Sequence, residues 1–101
     1  MLFVVQCLER PESREERSQH LNETLEFFGQ ALDYFAQARE RLVLAGPLLA
    51  DDNEETIGSM WVLNAASRAD LDGFLEAGPF FKSALCHSVS VHQWLVLIGS
   101  I

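Results

Sequence analysis

Few side chains in this chain have the types and spacing to do chemistry: His20, Ser59, the pair Cys7 and Cys86, His87, and the acidic run Asp51, Asp52, Glu54 and Glu55. An imidazole with an ordinary pKa near 6.5 suits proton transfer at neutral pH, which makes His20 the candidate general acid or base. Glu16 and Glu23 stand four and three residues from it, at helical spacing. Ser59 could donate a hydrogen bond to a ligand. Cys7, Cys86 and His87 lack the CxxC or His spacing of a zinc site, so no metal and no cofactor are expected. The acidic run lacks the interleaved oxygen ligands of a calcium loop and reads as a solvated turn.

These residues must be positioned by something, and the stretch Leu42 to Ser59 organises the rest. Val43, Leu44 and Ala45 form an apolar run, Gly46 and Pro47 interrupt it, and Ile57, Gly58 and Ser59 open another. This is a strand, a polar loop and a second strand. Pro47 has no amide to give a ladder, so the first of these strands is expected to leave the sheet there.

A length of 101 residues supports one domain, residues 1–101, with a single core. Fifteen acidic against seven basic residues give a net charge of -8, which repels phosphate backbones and anionic membrane surfaces. Nucleic acid and membrane partners are therefore not expected. The N-terminal MLFVVQCL has no basic leader and is far shorter than the roughly 20 apolar residues a membrane span needs. The expected location is cytoplasmic, and in that compartment Cys7 and Cys86 are expected as free thiols.

Taken in order, Leu2 to Leu8 reads as a strand. Ser13 and Glu16 have the form of a capping box opening a helix. That helix is expected from Arg14 to about Glu40, with Leu21, Leu25, Phe28, Leu32 and Phe35 as its buried stripe and Gly29 as its weak point. Ile57 to Asn64 is the third strand. Ser67 caps a second helix whose apolar side is Leu71, Phe74 and Leu75, and Gly78-Pro79 ends it, with Gly78 in the left-handed backbone of a helix cap. Ser88 to Ile98 is a long last strand, with His92 on its less buried face. The order is that of an α+β, ferredoxin-like βαββαβ sandwich: a four-stranded antiparallel sheet with two helices on one face. The first, third and last strands are apolar on both faces, so a second copy is expected to cover the open face as a homodimer.

Right-handed crossovers bring Cys7, His20, Gly46, Pro47, Gly58, Ser59, Gly78, Pro79, Phe80, Cys86 and His87 to one end of such a sheet. Polar groups beside aromatic walls at one end suit a small-molecule pocket. The candidate ligand residues are His20, Gly46, Pro47, Ser59, Pro79 and Phe80, and the candidate catalytic residue is His20.

The combination His20-Leu21, Leu44-Ala45-Gly46-Pro47-Leu48-Leu49, Asp51-Asp52, Gly58-Ser59, Pro79-Phe80-Phe81-Lys82 and Val89-Ser90-Val91-His92-Gln93-Trp94 resembles the YCII-related (YciI-like) domain family over nearly the whole chain. The resemblance implies a ferredoxin-like, dimeric α+β barrel. It also implies a pocket in which a histidine of the first helix pairs with an aspartate just before the proline after the second helix. One branch of the family resembles dehalogenating enzymes acting on chlorinated hydroxyquinols. This chain has Gly78 where that aspartate is expected, and its segment from His20 to Ala45 is long for the family. The expected function is a small-molecule-binding protein without the His-Asp pair. The alternative is a small-molecule enzyme, a lyase, hydrolase or dehalogenase using His20 on a hydroxylated aromatic ligand, and the residues alone leave open whether the chain is an enzyme.

Overall fold

The computed structural model describes residues 1–9, 17–51, 56–80 and 86–99, without the side chains of residues 17–24. The elements are β1 (Leu2–Glu9), α1 (Arg17–Phe35), a short 3-10 turn (Arg39–Arg41), β2 (Leu42–Leu49), β3 (Thr56–Asn64), α2 (Arg68–Ala77) and β4 (Cys86–Gln93). The four strands form one antiparallel sheet in the order β2-β3-β1-β4, which leaves β2 and β4 as edges. This is the expected βαββαβ order. The capping box at Ser13 and Glu16 and the residues Phe81 and Lys82 lie outside the described residues.

Alternation along the strands sets two faces. Phe3 and Val5 of β1 and Trp61 and Leu63 of β3 are buried together with Phe27, Ala31 and Phe35 of α1, Leu71 and Leu75 of α2, and Phe80. Both helices therefore lie on the same face of the sheet. Aromatic rings dominate this core: Trp61 is stacked on Phe28 and Phe35, with ring centroids 5.1 and 5.8 Å away, and meets the edge of Phe80 at 5.1 Å. Such pairs contribute about 0.5–1.5 kcal/mol each beyond the area they bury.

The aromatic cluster keeps Phe28 and Phe35 of the expected stripe and turns Leu25 and Leu32 out; the side chain of Leu21 lies outside the described residues. Phe27, Ala31 and Phe35, four residues apart, face the sheet, whereas Leu25 and Leu32 remain 62% and 59% exposed. Placing Phe27 and Phe35 against Trp61 turns the 25/32 line outward, because residues two apart on a helix point to different sides. The helix passes through Gly29 without a break and ends at Phe35.

Two strand expectations are also corrected. β2 does not leave the sheet at Pro47 but pairs through it, with Pro47 opposite Ser59 and Leu48 opposite Gly58. An edge strand tolerates a missing amide. β4 ends at Gln93 instead of continuing to Ile98. Its partner β1 runs out: the amide of Trp94 donates to the carbonyl of Leu2, and beyond that pair there is no strand to follow.

Ser67 caps α2 as expected, its hydroxyl accepting from the amide of Asp70 at 3.1 Å. At the other end, Gly78 has φ -94° and ψ -171°, extended backbone and not the left-handed cap expected of it. The reason for glycine there is space, as shown below. No helix among the described residues is long and apolar enough to cross a membrane.

Candidate functional site

One cross-strand row carries the most chemistry. Ser59 stands opposite Cys7 on one side and Pro47 on the other, and Cys7 stands opposite Val89. The row lies on the helix-covered face, one step along the sheet from Trp61 and Val5. Ser59 is 2% exposed, a buried hydroxyl on an otherwise apolar surface. The Trp61 indole N–H donates to its Oγ at 2.9 Å, which satisfies both groups away from water. Gly58, beside Ser59, pairs with Leu8 on β1, and a side chain built on it would run into the backbone carbonyl of Cys7. Only glycine permits that close approach.

The cysteines are not free thiols. Cys7 and Cys86 form a disulfide with Cα atoms 5.3 Å apart, across 79 residues of sequence. The sequence places them on the first and last strands, and the topology makes those strands neighbours; the compartment argument outweighed that proximity and gave the wrong state. Cys7 is 1% exposed, while Cys86 is half-buried on the edge strand and packs against the core.

The remaining candidates fall in different places. Phe80 is fully buried, packed against Phe27, Phe35 and Trp61. Pro79 beside it is half-buried. Gly46 pairs with Met60, which pairs with Gln6, on the face turned away from the helices; the Gln6 side-chain amide donates to the Met60 sulfur at 4.0 Å there. Pro47 and Ser59 are on the helix face, so Gly46 is their chain neighbour but not their face mate. His92 is exposed on the outer face, opposite Val4.

His20 lies in the first turn of α1. It precedes Phe27 by seven residues and Tyr34 by fourteen, about 10 Å and about 21 Å along the axis at 1.5 Å per residue. Tyr34 is the α1 residue that meets Gly78: a Cβ at position 78 would lie 2.6 Å from one ring carbon of Tyr34 and 2.9 Å from the next. The ring is fixed there, tilted against Phe74 with centroids 4.7 Å apart, and its hydroxyl donates to the Phe74 carbonyl at 2.7 Å. The structure thus fills the space at position 78 with a ring from α1 and puts the backbone of His20 four helical turns away from that ring. Tyr34 was not singled out in the sequence; the long segment between His20 and Ala45 was the only signal pointing to it.

At the opposite end of the sheet, Arg41 makes a two-pronged ion pair with Asp70, both N–O distances 2.9 Å, and lies over the Phe74 ring at 4.7 Å. Asp70 also accepts from the amide of Ala66 at 3.2 Å. The Arg41 hydrogen bonds, helped by that amide, hold the Asp70 carboxyl below its ordinary pKa, and the Asp70 carboxylate in turn raises Arg41. This cluster clamps the start of α2 to the start of β2.

The profile of the YCII-related domain matches residues 1–95. The chain belongs to the YCII-related domain family. Among solved structures, the YCII-related chain is similar to 5-chloro-2-hydroxyhydroquinone dehydrochlorinase (TftG) from Burkholderia phenoliruptrix AC1100, in complex with 2,5-dihydroxybenzoquinone, at 23% identity and TM-score 0.66 over 94% of each chain. It is also similar to a proposed antibiotic biosynthesis monooxygenase from Bacteriodes thetaiotaomicron VPI-5482, at 11% identity and TM-score 0.52, over 100% of this chain and 92% of that one. At these identities the likeness is one of fold, the ferredoxin-like sandwich of dimeric α+β barrel proteins. No curated protein matches the chain.

Proposed function

We propose that this YCII-related protein binds a small hydroxylated aromatic or quinonoid molecule at the sheet end carrying Pro47, Ser59, Pro79 and Phe80, with His20 at its approach, Gly46 only as the backbone neighbour of Pro47, and no acid–base pair between His20 and position 78. The observation that carries the reading is the Tyr34 ring against Gly78, which leaves no room for a carboxylate there. The ligand class is supported by the aromatic core behind Ser59 and by the flat hydroxylated ring held by the dehydrochlorinase of similar fold. A ring of that kind offers hydroxyl and carbonyl oxygens to polar groups such as Ser59 and an apolar face to aromatic walls.

An NMR titration with 2,5-dihydroxybenzoquinone is the test. The Ser59 amide and the Trp61 indole N–H should shift together, and His20→Ala should weaken binding while leaving the far-UV circular dichroism unchanged. No shift at millimolar ligand overturns the reading. Turnover of a chlorinated hydroxyquinol that His20→Ala abolishes would replace it with the acid–base reading, in which His20 acts on the ring without its aspartate.

The binding unit in this proposal is a homodimer closed by the outer sheet faces. On that face Leu44, Val62, Val4 and His92 form one row; Val62 is already buried in the single chain and Val4 half-buried, while the apolar Leu44 and Leu8 are exposed. An apolar row on a face without helices is what a second sheet would cover. Sedimentation should give a dimer at micromolar concentration, and Leu44→Lys should shift it toward monomer; a wild-type monomer would remove the dimer from the proposal.

A further inference from the structure

We propose that Cys7 and Cys86 are a reversible redox couple, reduced by small-molecule thiols or dithiols, and that its state is felt at the Ser59–Trp61 hydrogen bond. Three observations lead there. First, the two sulfurs are unequal: Cys7 is 1% exposed in the central strand β1, whereas Cys86 is half-buried on the edge strand β4, so Cys86 is the sulfur an attacking thiolate reaches. Second, the strands that the bond joins are paired without it, from Phe3 opposite Gln93 to Leu8 opposite Ser88. Breaking the bond therefore leaves the ladder in place. Third, Cys7 stands directly opposite Ser59, whose hydroxyl holds the Trp61 indole at 2.9 Å. A change at Cys7 is thus made beside the buried polar pair of the candidate site.

The chemistry is thiol–disulfide exchange. An external thiolate attacks Sγ of Cys86, the S–S bond breaks, and Cys7 leaves as a thiolate that takes up a proton. A second external thiol then attacks the outer sulfur of the mixed disulfide and frees Cys86. The protein gains two electrons and two protons, and two external thiols become one external disulfide. Once reduced, the two sulfurs separate from bonding distance to ordinary contact, and the Cys7 side chain must repack beside Ser59. The bond stabilises the fold, but the β1–β4 ladder is made without it, and with one sulfur half-buried at a sheet edge it can be exchanged in the folded protein.

The test needs no ligand, so it stands or falls apart from the binding proposal. In Trp94→Phe protein the remaining indole, Trp61, reports by fluorescence. Protein purified without reductant should show no thiols after denaturation. Dithiothreitol added to the native protein should yield two thiols per chain and change the Trp61 fluorescence, with unchanged far-UV circular dichroism, and oxidised glutathione should reverse both changes. Cys86→Ser should hold Trp61 at the reduced signal whatever the buffer. Two free thiols before reduction, a bond that only denaturant exposes, or loss of circular dichroism on reduction would each overturn the proposal.

Discussion

The two ends of the sheet are fastened by opposite kinds of chemistry. Where α2 begins, Arg41, Asp70 and Phe74 hold elements together through charge and ring contact at a partly solvated surface. Where β1 ends, a disulfide and a buried serine–tryptophan hydrogen bond do so in a nearly dry environment. Exposed ion pairs are screened by water and salt and tolerate change. Buried polar groups have no alternative partner, so they are costly to disturb and responsive to whatever reaches them. The first end is a fastening. The second has both the fastening and the sensitivity that a site needs, and the comparison predicts that substitutions there will have the larger effects.

The largest effect is expected from the disulfide. Closing a loop of 79 residues restricts the unfolded chain, which in the chain-entropy account amounts to about 4.5 kcal/mol. Cys7→Ser and Cys86→Ser should therefore lower the urea midpoint by similar amounts, and wild-type protein unfolded in reductant should match them. Equal midpoints for wild type with and without reductant would break the contrast between the two ends.

Next comes the Tyr34–Gly78 contact, which lies between them. Gly78→Ala forces a Cβ into the ring and should cost roughly 1–3 kcal/mol as overpacking. In a Tyr34→Ala background the same substitution should cost much less, giving a coupling within the range of about 0.5–3 kcal/mol seen for contacting residues. Additive midpoints in the double-mutant cycle would mean that Tyr34 does not reserve that space. Gly78→Asp in the Tyr34→Ala background should also leave the His20 titration unmoved, because position 78 meets α1 at residue 34, about 21 Å along the axis from residue 20.

How much of this was legible in the sequence follows the same divide. Element order, the two-helix face and the Ser67 cap were readable, because they rest on local periodicity and capping chemistry. The α1 stripe was half right: Phe28 and Phe35 face Trp61 as expected, but leucine spacing alone cannot say that Leu25 and Leu32 lie outside the line that meets a tryptophan on another element. Phe27 took a place in that line because Trp61 and Phe80 offered it ring contacts. Pro47 was read as a strand end because nothing local shows that β2 is an edge. Ser59 was named as a candidate, yet its role in holding Trp61 needs the strand alternation in three dimensions. The disulfide and the Tyr34 ring at Gly78 join residues 79 and 44 positions apart, where no periodicity speaks.

Ser59→Ala probes the covalent end without touching the bond. It leaves the Trp61 N–H buried with no acceptor, at about 1–3 kcal/mol, and Ser59→Thr should recover most of that if the hydroxyl is what matters. Chemical denaturation of the three proteins decides it. Equal stability of the alanine variant would show that the indole finds another partner, and the candidate site would lose its buried polar anchor.

The smallest effect belongs to Asp70, and its pH dependence separates the two ends most cleanly. Its carboxyl is held below the ordinary value, first by the hydrogen bonds from Arg41 and then by the Ala66 amide. A carboxyl with a lowered pKa in the folded state binds fewer protons there than in the unfolded chain. The stability it contributes is thus fully present above the unfolded value near 4 and is lost as the pH falls through the lower folded value. Asp70→Asn should accordingly be slightly less stable than wild type at pH 7, and the difference should shrink below about pH 4. Salt at 1 M should shrink it as well, since both partners are partly exposed. The Cys86→Ser deficit should persist across the same range of pH and salt, because neither titrates or screens a covalent bond. Thermal melts of the two variants across pH 3 to 7 make the comparison directly. A deficit in Asp70→Asn that grows on acidification would reverse the assignment of Asp70 as a charge-held clamp.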